Sequence, residues 1–219
     1  MINELIFVSH AALISFAAAI GARLGKEALV SLVCIQAILS NIFVSKQMVL
    51  FGLYATCSDA FSVGSSLCLN LLQEKFGKEI ASKAIWISLF TLIFYLAMSQ
   101  IHLIYVPSEV DFTQGHYQVL LSQMPRIIIA SLIAYFISQQ TDRFLYSFVN
   151  EKLKWKNFIL KNYSSLLVSQ FIDTVLFSFL GLYGNVENVW HIIILSYVIK
   201  VVTIAIITPL TKLTLPTMN

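Results

Sequence analysis

One apolar stretch, Ser164 to Gly184, constrains the fold of this chain more than any other feature. It is long enough to cross a bilayer, since a spanning helix needs roughly 20 mostly apolar residues, yet Asp173 lies near its middle. A carboxylate at the centre of a bilayer costs at least about 2.5 kcal/mol, so it usually faces a bundle interior or a wet cavity and has a partner. The stretch therefore predicts a membrane helix with a functional polar side.

The same stretch carries a polar and aromatic stripe. Its members recur at helical spacings of three and four, which places them on one face of the predicted helix. They are Ser169, Gln170, Asp173, Thr174, Phe177 and Gly181. This stripe is the candidate site.

The remaining sequence is equally apolar. Of 219 residues 58% are hydrophobic and 11% charged, and the mean hydropathy is +0.82, well beyond an ordinary soluble domain. The longest polar insert has about ten residues, so the whole chain, 1–219, is predicted to be one transmembrane transporter domain, and any nucleotide-driven motor would be a separate chain. The motifs G-x-x-x-x-G-K-[ST], H-E-x-x-H and C-x-x-C do not occur. No catalytic residue, metal or cofactor is predicted.

The apolar runs predict an all-α bundle of seven spans. Their approximate ranges are Glu4 to Ala22, Ala28 to Ser45, Gly52 to Leu72, Ala84 to Tyr105, Tyr117 to Gln140, Tyr163 to Leu182 and Trp190 to Leu210. The third is the least regular, because two glycines and the polar run Thr56 to Asp59 dilute it. Irregular backbone at membrane depth is tolerated only where it is buried or lines a cavity, so an irregular entry would itself point to a site.

The basic residues predict the orientation. Eleven Lys and Arg residues fall on one side of this arrangement and Lys46 alone on the other, which places the amino terminus outside and the carboxy terminus in the cytoplasm. The amino terminus lacks the basic leader of a cleavable signal peptide, so we expect the first helix to be retained.

Two further charges lie at membrane depth. Lys200 is about halfway along the seventh span, and a lysine and a carboxylate at similar depth on consecutive antiparallel helices are natural partners. The pair of Lys200 with Asp173 either fixes helix packing or also contacts substrate or a coupling ion, and the functional default for intramembrane charges favours the second alternative. Asp59 in the third span either lines an entrance or caps a half-helix.

The fifth span has a polar face, and if it runs on to Val149 it exceeds thirty residues, so its cytoplasmic end is expected to extend beyond the bilayer. The face consists of Ser131, Tyr135, Ser138, Gln139 and Asp142. Asp142 is expected near the interface as a solvated ion pair or topology signal. At 100° per residue Arg126 points roughly 140° away from Ser131, so either Pro125 redirects it or it serves a different neighbour.

Four segments together resemble a known family. They are LNLLQEKFGKEIASKAI (Leu69 to Ile85), PRIIIASLIAYFISQQTDRF (Pro125 to Phe144), SQFIDTVLF (Ser169 to Phe177) and SYVIKVVTIAIITPL (Ser196 to Leu210). In this order they resemble the queuosine precursor transporter family, also described as vitamin-uptake-transporter-like integral membrane proteins. The resemblance runs from about Asn41 to Pro209 and leaves the first span as an addition to a six-span core.

The resemblance implies import of 7-deazaguanine compounds: the 7-cyano and 7-aminomethyl bases, or queuine. Family positions that carry over are Asn41, Glu74 with Phe76 and Gly77, Arg126, Ala134 with Tyr135, Gln139, Asp142, Asp173 with Thr174, Tyr197 and Lys200. Asn70 stands where many members have Asp, and Gln170 where some have Asn, so the exact ligand is left open.

A deazaguanine presents a ring N–H beside an exocyclic amine, and a carboxylate is the acceptor that matches both. Asp173 is the predicted acceptor; buried amides would read the carbonyl, aromatic rings would stack on the base, and Arg126 and Lys200 would orient the carboxylates. The predicted substrate-binding residues are Asp173, Gln170, Thr174, Phe177, Lys200, Tyr197, Arg126, Tyr135, Gln139, Asn41, Asn70 and Asp59.

The predicted function is therefore a cofactor-free importer of the cell (inner) membrane, with the lipid bilayer and a small purine-like substrate as partners and no nucleic acid. Alternating access is expected, driven by trapping, by protons through Asp173 or by an external energising module. One alternative is the vitamin-binding membrane component of an ATP-driven uptake system. Another is an intramembrane enzyme that pairs the Asp59 and Asp173 carboxylates. A ladder of small residues, Ala17, Gly21 and Gly25, permits a homodimer.

Overall fold

The computed structural model describes residues 2–44, 46–50, 53–122, 125–153, 157–183 and 189–214. These residues form a helix bundle with one β-hairpin. The elements are α1 (Ile2–Leu24), α2 (Lys26–Phe43), β1 (Gln47–Leu50), β2 (Leu53–Thr56), α3 (Asp59–Phe76), α4 (Lys78–Ile104), α5 (Gln114–Leu121), α6 (Pro125–Glu151), α7 (Phe158–Phe177), a π-helical turn (Ser178–Leu182) and α8 (Val189–Thr214). The all-α polytopic class is confirmed.

Within the described ranges, four stretches are long and apolar enough to cross a membrane by themselves: Ile2–Leu24, Lys26–Phe43, Lys78–Ile104 and Phe158–Gly181. Large apolar side chains such as Phe16 and Phe90 point outward from the bundle, 54% and 69% exposed. In a bilayer this outer surface contacts lipid, which is as apolar as the side chains themselves.

Helix α3 occupies the middle of the bundle. Thirteen of its 18 residues are buried, and it packs against α1, α2, α4, α6, α7 and α8. Because protein surrounds it on all sides, α3 can carry polar side chains that a lipid-facing helix could not. Gly64 marks the tightest contact, where an added Cβ would lie 2.0 Å from Oε1 of Gln36 and 2.5 Å from Cγ2 of Ile14.

Single glycines connect two pairs of helices. Gly25, between α1 and α2, has a φ of 126°, and Gly77, between α3 and α4, has a φ of 90°. Side chains with a Cβ rarely adopt these dihedral angles. Each glycine therefore permits a sharp reversal within one residue.

The third predicted span is only partly helical. Instead of a helix from Gly52, β2 pairs antiparallel with β1, from Gln47 opposite Thr56 to Leu50 opposite Leu53. The helix begins at Asp59, whose negative charge suits the positive end of the helix dipole. The entry to the third span is thus irregular, a point that the sequence left open, and the predicted helix over 53–58 was wrong.

The fifth predicted span divides into two helices. None of the residues of α5 is buried, and α5 packs on α4. Helix α6 begins at Pro125, a residue suited to the first helical position because its missing N–H would have no partner there. It continues to Glu151 and so includes Val149, but it has 27 residues, because α5 is a separate helix.

Candidate functional site

A row of polar side chains runs the length of one side of α3, and we call it the α3 polar ladder. Its residues are spaced by three or four, which keeps them on one face of the helix. They are Asp59, Ser62, Ser66, Asn70, Gln73 and Glu74. The ladder faces polar groups of α6, α7 and α8, so a continuous polar seam crosses the bundle.

The first end of the ladder is a cluster of two carboxylates and one lysine. Nζ of Lys200 donates to Oδ2 of Asp173 at 2.6 Å, and this contact confirms the predicted pairing. Oγ of Ser196 donates to Oδ1 of Asp59 at 3.3 Å. Asp59 also interacts electrostatically with both Lys200 and Asp173. We call Asp59, Asp173, Ser196 and Lys200 the two-carboxylate cluster.

Two glutamines lie at the middle of the ladder. Oε1 of Gln170 accepts a hydrogen bond from Ser62 at 3.0 Å. Oγ of Ser66 accepts from Nε2 of Gln170 at 3.1 Å and from Nε2 of Gln139 at 3.3 Å. Ser66 therefore joins amides from α6 and α7.

Asn70 brings a further carboxylate into the seam. Its Nδ2 lies 2.8 Å from Oδ1 of Asn162, 3.0 Å from Oγ of Ser165 and 3.5 Å from Oδ1 of Asp142. Asp142 is 0% exposed, and none of the salt bridges in the described part of the chain includes it. The prediction of a solvated ion pair at Asp142 was wrong, because α3 and α7 pack over this turn of α6.

The second end of the ladder is a complete ion pair. Nζ of Lys161 lies 2.7 and 2.5 Å from the two carboxylate oxygens of Glu74, and the Tyr146 hydroxyl donates to one of them at 2.6 Å. Lys161 also donates to Oδ1 of Asn150 at 3.1 Å. Charge and hydrogen-bonding capacity are matched here.

Elsewhere along the polar seam, several buried side-chain oxygens of α3 and α6 have no recorded hydrogen-bond partner. Within the described ranges no hydrogen bond reaches Oδ2 of Asp59, Oδ2 of Asp142, Oε1 of Gln139, Oδ1 of Asn70 or Oε1 of Gln73. Buried polar atoms in folded proteins nearly always have partners, so each exception calls for an explanation such as water, an ion or a ligand. All five atoms are acceptors. The seam therefore offers hydrogen-bond acceptors that suit N–H or O–H groups.

The structure thus brings together Asp59, Asp173, Lys200, Asn70, Gln139 and Gln170 along one seam. Three other predicted residues bond elsewhere. Arg126 donates to the carbonyls of Leu180 and Tyr183, at 2.8 and 2.7 Å, at the end of α7. In the described structure, Arg126 thus binds main-chain carbonyl oxygens, not a carboxylate.

Tyr197 donates to the carbonyl of Leu167 and packs edge-to-face on the exposed ring of Phe171. Tyr135 shares a 2.7 Å hydrogen bond with Ser88 of α4.

The last three predicted residues serve helix contacts. Oδ1 of Asn41 accepts from Ser131 at 3.0 Å and so joins α2 to α6. Thr174 bonds back to the carbonyl of Gln170 in its own helix. The Phe177 ring lies 3.5 Å from the position of an added Cβ on Gly181. Roles in substrate binding for these six residues stay predictions.

The sequence contained a signal for the ladder that the predicted site did not use. Asp59, Ser62, Ser66, Asn70 and Gln73 have helical spacing, but the diluted third span hid their common face. Asn162 and Lys161 lie before the predicted start of the sixth span at Tyr163, whereas α7 begins at Phe158.

An apolar outer surface around a continuous buried polar seam defines an integral membrane protein of the transporter class. The family model described as "Putative vitamin uptake transporter" matches residues 60–214, and the chain belongs to this family, as the four sequence segments indicate.

The "Probable queuosine precursor transporter" of Bacillus subtilis (strain 168) is 33% identical over 185 residues, which cover 80% of this chain and 78% of that protein. No solved structure matches.

Proposed function

We propose that the protein imports queuosine precursors, the 7-cyano or 7-aminomethyl 7-deazaguanine bases or queuine, across the cytoplasmic membrane. The relative's name and the family support this substrate class. The observation that carries the proposal is Asp142, a fully buried carboxylate in the seam whose hydrogen-bonding neighbours are the neutral side chains of Asn70, Ser165 and Ser169, with no cation bound to it in the described residues.

We assign the acceptor role for the base to Asp142 in place of Asp173. Asp173 is already paired with Lys200 at 2.6 Å, whereas Asp142 has only neutral hydrogen-bonding neighbours in the described residues. A carboxylate can accept from the ring N–H and the exocyclic amine of a deazaguanine at once. Asn70 and Gln139, which flank Asp142 along the seam, supply amides for the remaining polar edge.

The ends of the ladder fit an alternating-access cycle. Glu74 and Lys161 join α3 to α7 at one end, and Asp173 and Lys200 join α7 to α8 at the other. A base held near Asp142 would enter past the Asp173–Lys200 pair and leave past the Glu74–Lys161 pair. With the amino terminus outside, the Glu74 pair is the cytoplasmic closure.

The test is uptake of labelled queuine, 7-aminomethyl and 7-cyano bases by cells that neither make nor otherwise import them. We expect uptake with the parent chain. Asp142→Asn should lower it at least about tenfold, because a hydrogen bond to a charged group contributes about 1.5–3 kcal/mol. Asp111→Asn is the matched control, since Asp111 lies in an exposed connection between α4 and α5.

Failure of well-inserted parent protein to accumulate any of the three bases would contradict the substrate class. Normal uptake by Asp142→Asn would remove Asp142 from the site. The mass of the recovered compound distinguishes import from catalysis, because import leaves the base unchanged. Co-purification of an ATPase would instead indicate the ATP-driven alternative.

A further inference from the structure

The two-carboxylate cluster carries an unbalanced charge inside the bundle. Asp59 and Lys200 are each 4% exposed, and the Asp173 side chain is 16% exposed. One ammonium faces two carboxylates, so the fully ionised cluster has a net charge of −1. An uncompensated charge in a low-dielectric interior is costly, and such a group usually neutralises instead.

The excess charge lies on Asp59. Asp173 holds the lysine directly, whereas Asp59 receives one long hydrogen bond from Ser196, and its Oδ2 has no partner in the described ranges. A proton on Oδ2 would cancel the net charge and turn this acceptor into a donor.

The cluster suits a proton better than a metal ion. No group of three or more His, Cys, Asp or Glu side chains that could hold a metal occurs in the described residues. One free carboxylate oxygen and the Ser196 hydroxyl fall far short of the six or more oxygens that hard cations take. The lysine ammonium also occupies the place beside Asp173 where a cation would bind.

A partly open cavity of about 270 Å³ gives this end of the bundle access to water. It lies between α1, the hairpin and the start of α3, and Cys57 and Ala60, on either side of Asp59 in the sequence, are among its lining residues. The cavity thus reaches the chain on either side of Asp59, although the Asp59 side chain itself does not line it.

We propose that Asp59 binds a proton whose uptake and release are coupled to transport; this rests on the proposed transport function. Asp59 accepts the proton while the cluster is accessible from the cavity. It releases the proton on the opposite side when rearrangement of α7 and α8 brings Lys200 onto both carboxylates. No bond other than O–H forms or breaks.

Other titratable groups surround Asp59. Lys200 lies on α8 and Asp173 on α7, and Cys57 of the preceding turn interacts with both Asp59 and Lys46. On α1, His10 packs edge-to-face on Phe61 with 4.6 Å between ring centroids. His10 is the main competing proton acceptor, so the test must separate the two.

The experiment uses the full chain in proteoliposomes, with labelled substrate and an internal pH dye. For one proton per substrate, an inward gradient of one pH unit should raise accumulation up to about tenfold. A protonophore should abolish the gain. Asp59→Asn, a permanent mimic of the protonated side chain, should abolish the gradient response and substrate-linked acidification. His10→Gln should retain both.

A second readout needs no transport. The infrared carboxylic C=O band of the parent should titrate with pH, and one component of it should be missing in Asp59→Asn but present in His10→Gln. Accumulation that still follows the gradient in Asp59→Asn would overturn the proposal, as would loss of the response in His10→Gln alone. Gradient-independent uptake by the parent would overturn the coupling and leave transport intact. If the parent carries no substrate, the proposed function fails and the infrared band still decides whether Asp59 binds a proton.

Discussion

Two lysine–carboxylate pairs lie near opposite ends of α7 and differ in how fully they are satisfied. Lys161 and Asp173 are about 18 Å apart along the helix, twelve residues at 1.5 Å each. At the Lys161 end one lysine meets one carboxylate, and both oxygens of Glu74 are bonded. At the Lys200 end one lysine interacts with two carboxylates, and Oδ2 of Asp59 has no hydrogen-bond partner in the described residues.

This difference in charge balance and hydrogen bonding indicates a structural role for the Glu74–Lys161 pair and a binding role for the two-carboxylate cluster. A balanced and fully hydrogen-bonded pair has nothing left with which to bind a ligand, so its effect is on stability and on closure of the bundle. An unbalanced cluster retains both charge and an acceptor, which are the properties that a binding site needs. Mutations at the two ends should therefore fail in different ways.

A large loss of stability is expected at the balanced pair. Lys161→Met leaves Glu74 without its cation and should lower the free energy of unfolding by about 3–5 kcal/mol, the usual cost of breaking a buried pair. Unfolding in detergent followed by circular dichroism measures it. Lys26→Met is the control, because Lys26 and Glu27 are 3.9 Å apart with side chains 50% and 80% exposed. Equal effects of the two changes would refute a structural role for the Lys161 pair.

Lys200→Met should lower both stability and transport. Even if a proton from water neutralises one of the two remaining carboxylates, the other is left without its cation, so we expect the free energy of unfolding to fall by about 3–5 kcal/mol, as for Lys161→Met. Transport should in addition fall more than about tenfold in the protein that remains folded, since the cluster can no longer exchange an ammonium for a proton. Unfolding measurements, and uptake measurements normalised to folded protein, test this. An equal loss of normalised uptake in Lys161→Met would remove the contrast between the two ends.

Tyr146→Phe sharpens the comparison from the balanced side. The change removes the Tyr146 hydroxyl and its 2.6 Å hydrogen bond to Glu74, and it leaves the aromatic ring in place. We expect a loss of about 1.5–3 kcal/mol in unfolding free energy, typical of a bond to a charged acceptor. The substrate concentration for half-maximal uptake should not change. A large change in that concentration would place the second end of the ladder in the binding site.

Ser196→Ala should have the smallest effect on stability. Its bond to Asp59 is 3.3 Å long, so the loss should be about 0.5–1.5 kcal/mol or less. The pH profile of uptake should move, because Asp59 loses its one hydrogen-bond donor in the described residues. Ser9→Ala is a matched control, since Ser9 bonds only to the carbonyl of Leu5 in its own helix in the described structure. An unchanged profile in Ser196→Ala would argue against proton binding at Asp59.

The sequence predicted one end of the ladder better than the other. Lys200 and Asp173 lie midway along consecutive apolar spans, and depth alone suffices to pair them. Lys161 lies outside the predicted sixth span, which begins at Tyr163, because apolarity marks where a helix enters lipid and not where it begins. Its partner Glu74 is 87 positions away, and no local pattern connects the two.

Asp142 shows a second limit of sequence reasoning. Its place on the polar face of the fifth span was predicted, but its burial depends on Asn70 and Asn162, which come from two other helices. Periodicity gives the face of a helix and not what covers it. The hairpin was missed for a similar reason, since strand pairing between 47–50 and 53–56 overrides a stretch that composition alone assigns to a helix.

The polar character of α3 also has a consequence for how the chain enters the membrane. Helix α3 is not among the stretches apolar enough to cross by themselves, whereas its successor α4 is, and only Gly77 separates the two. A helix of this kind partitions poorly alone, because its amide and carboxylate groups would meet lipid before their partners on α6 and α7 are synthesised. We therefore expect α3 and α4 to insert as one helical hairpin, with α3 sheltered by its neighbours until the seam is complete.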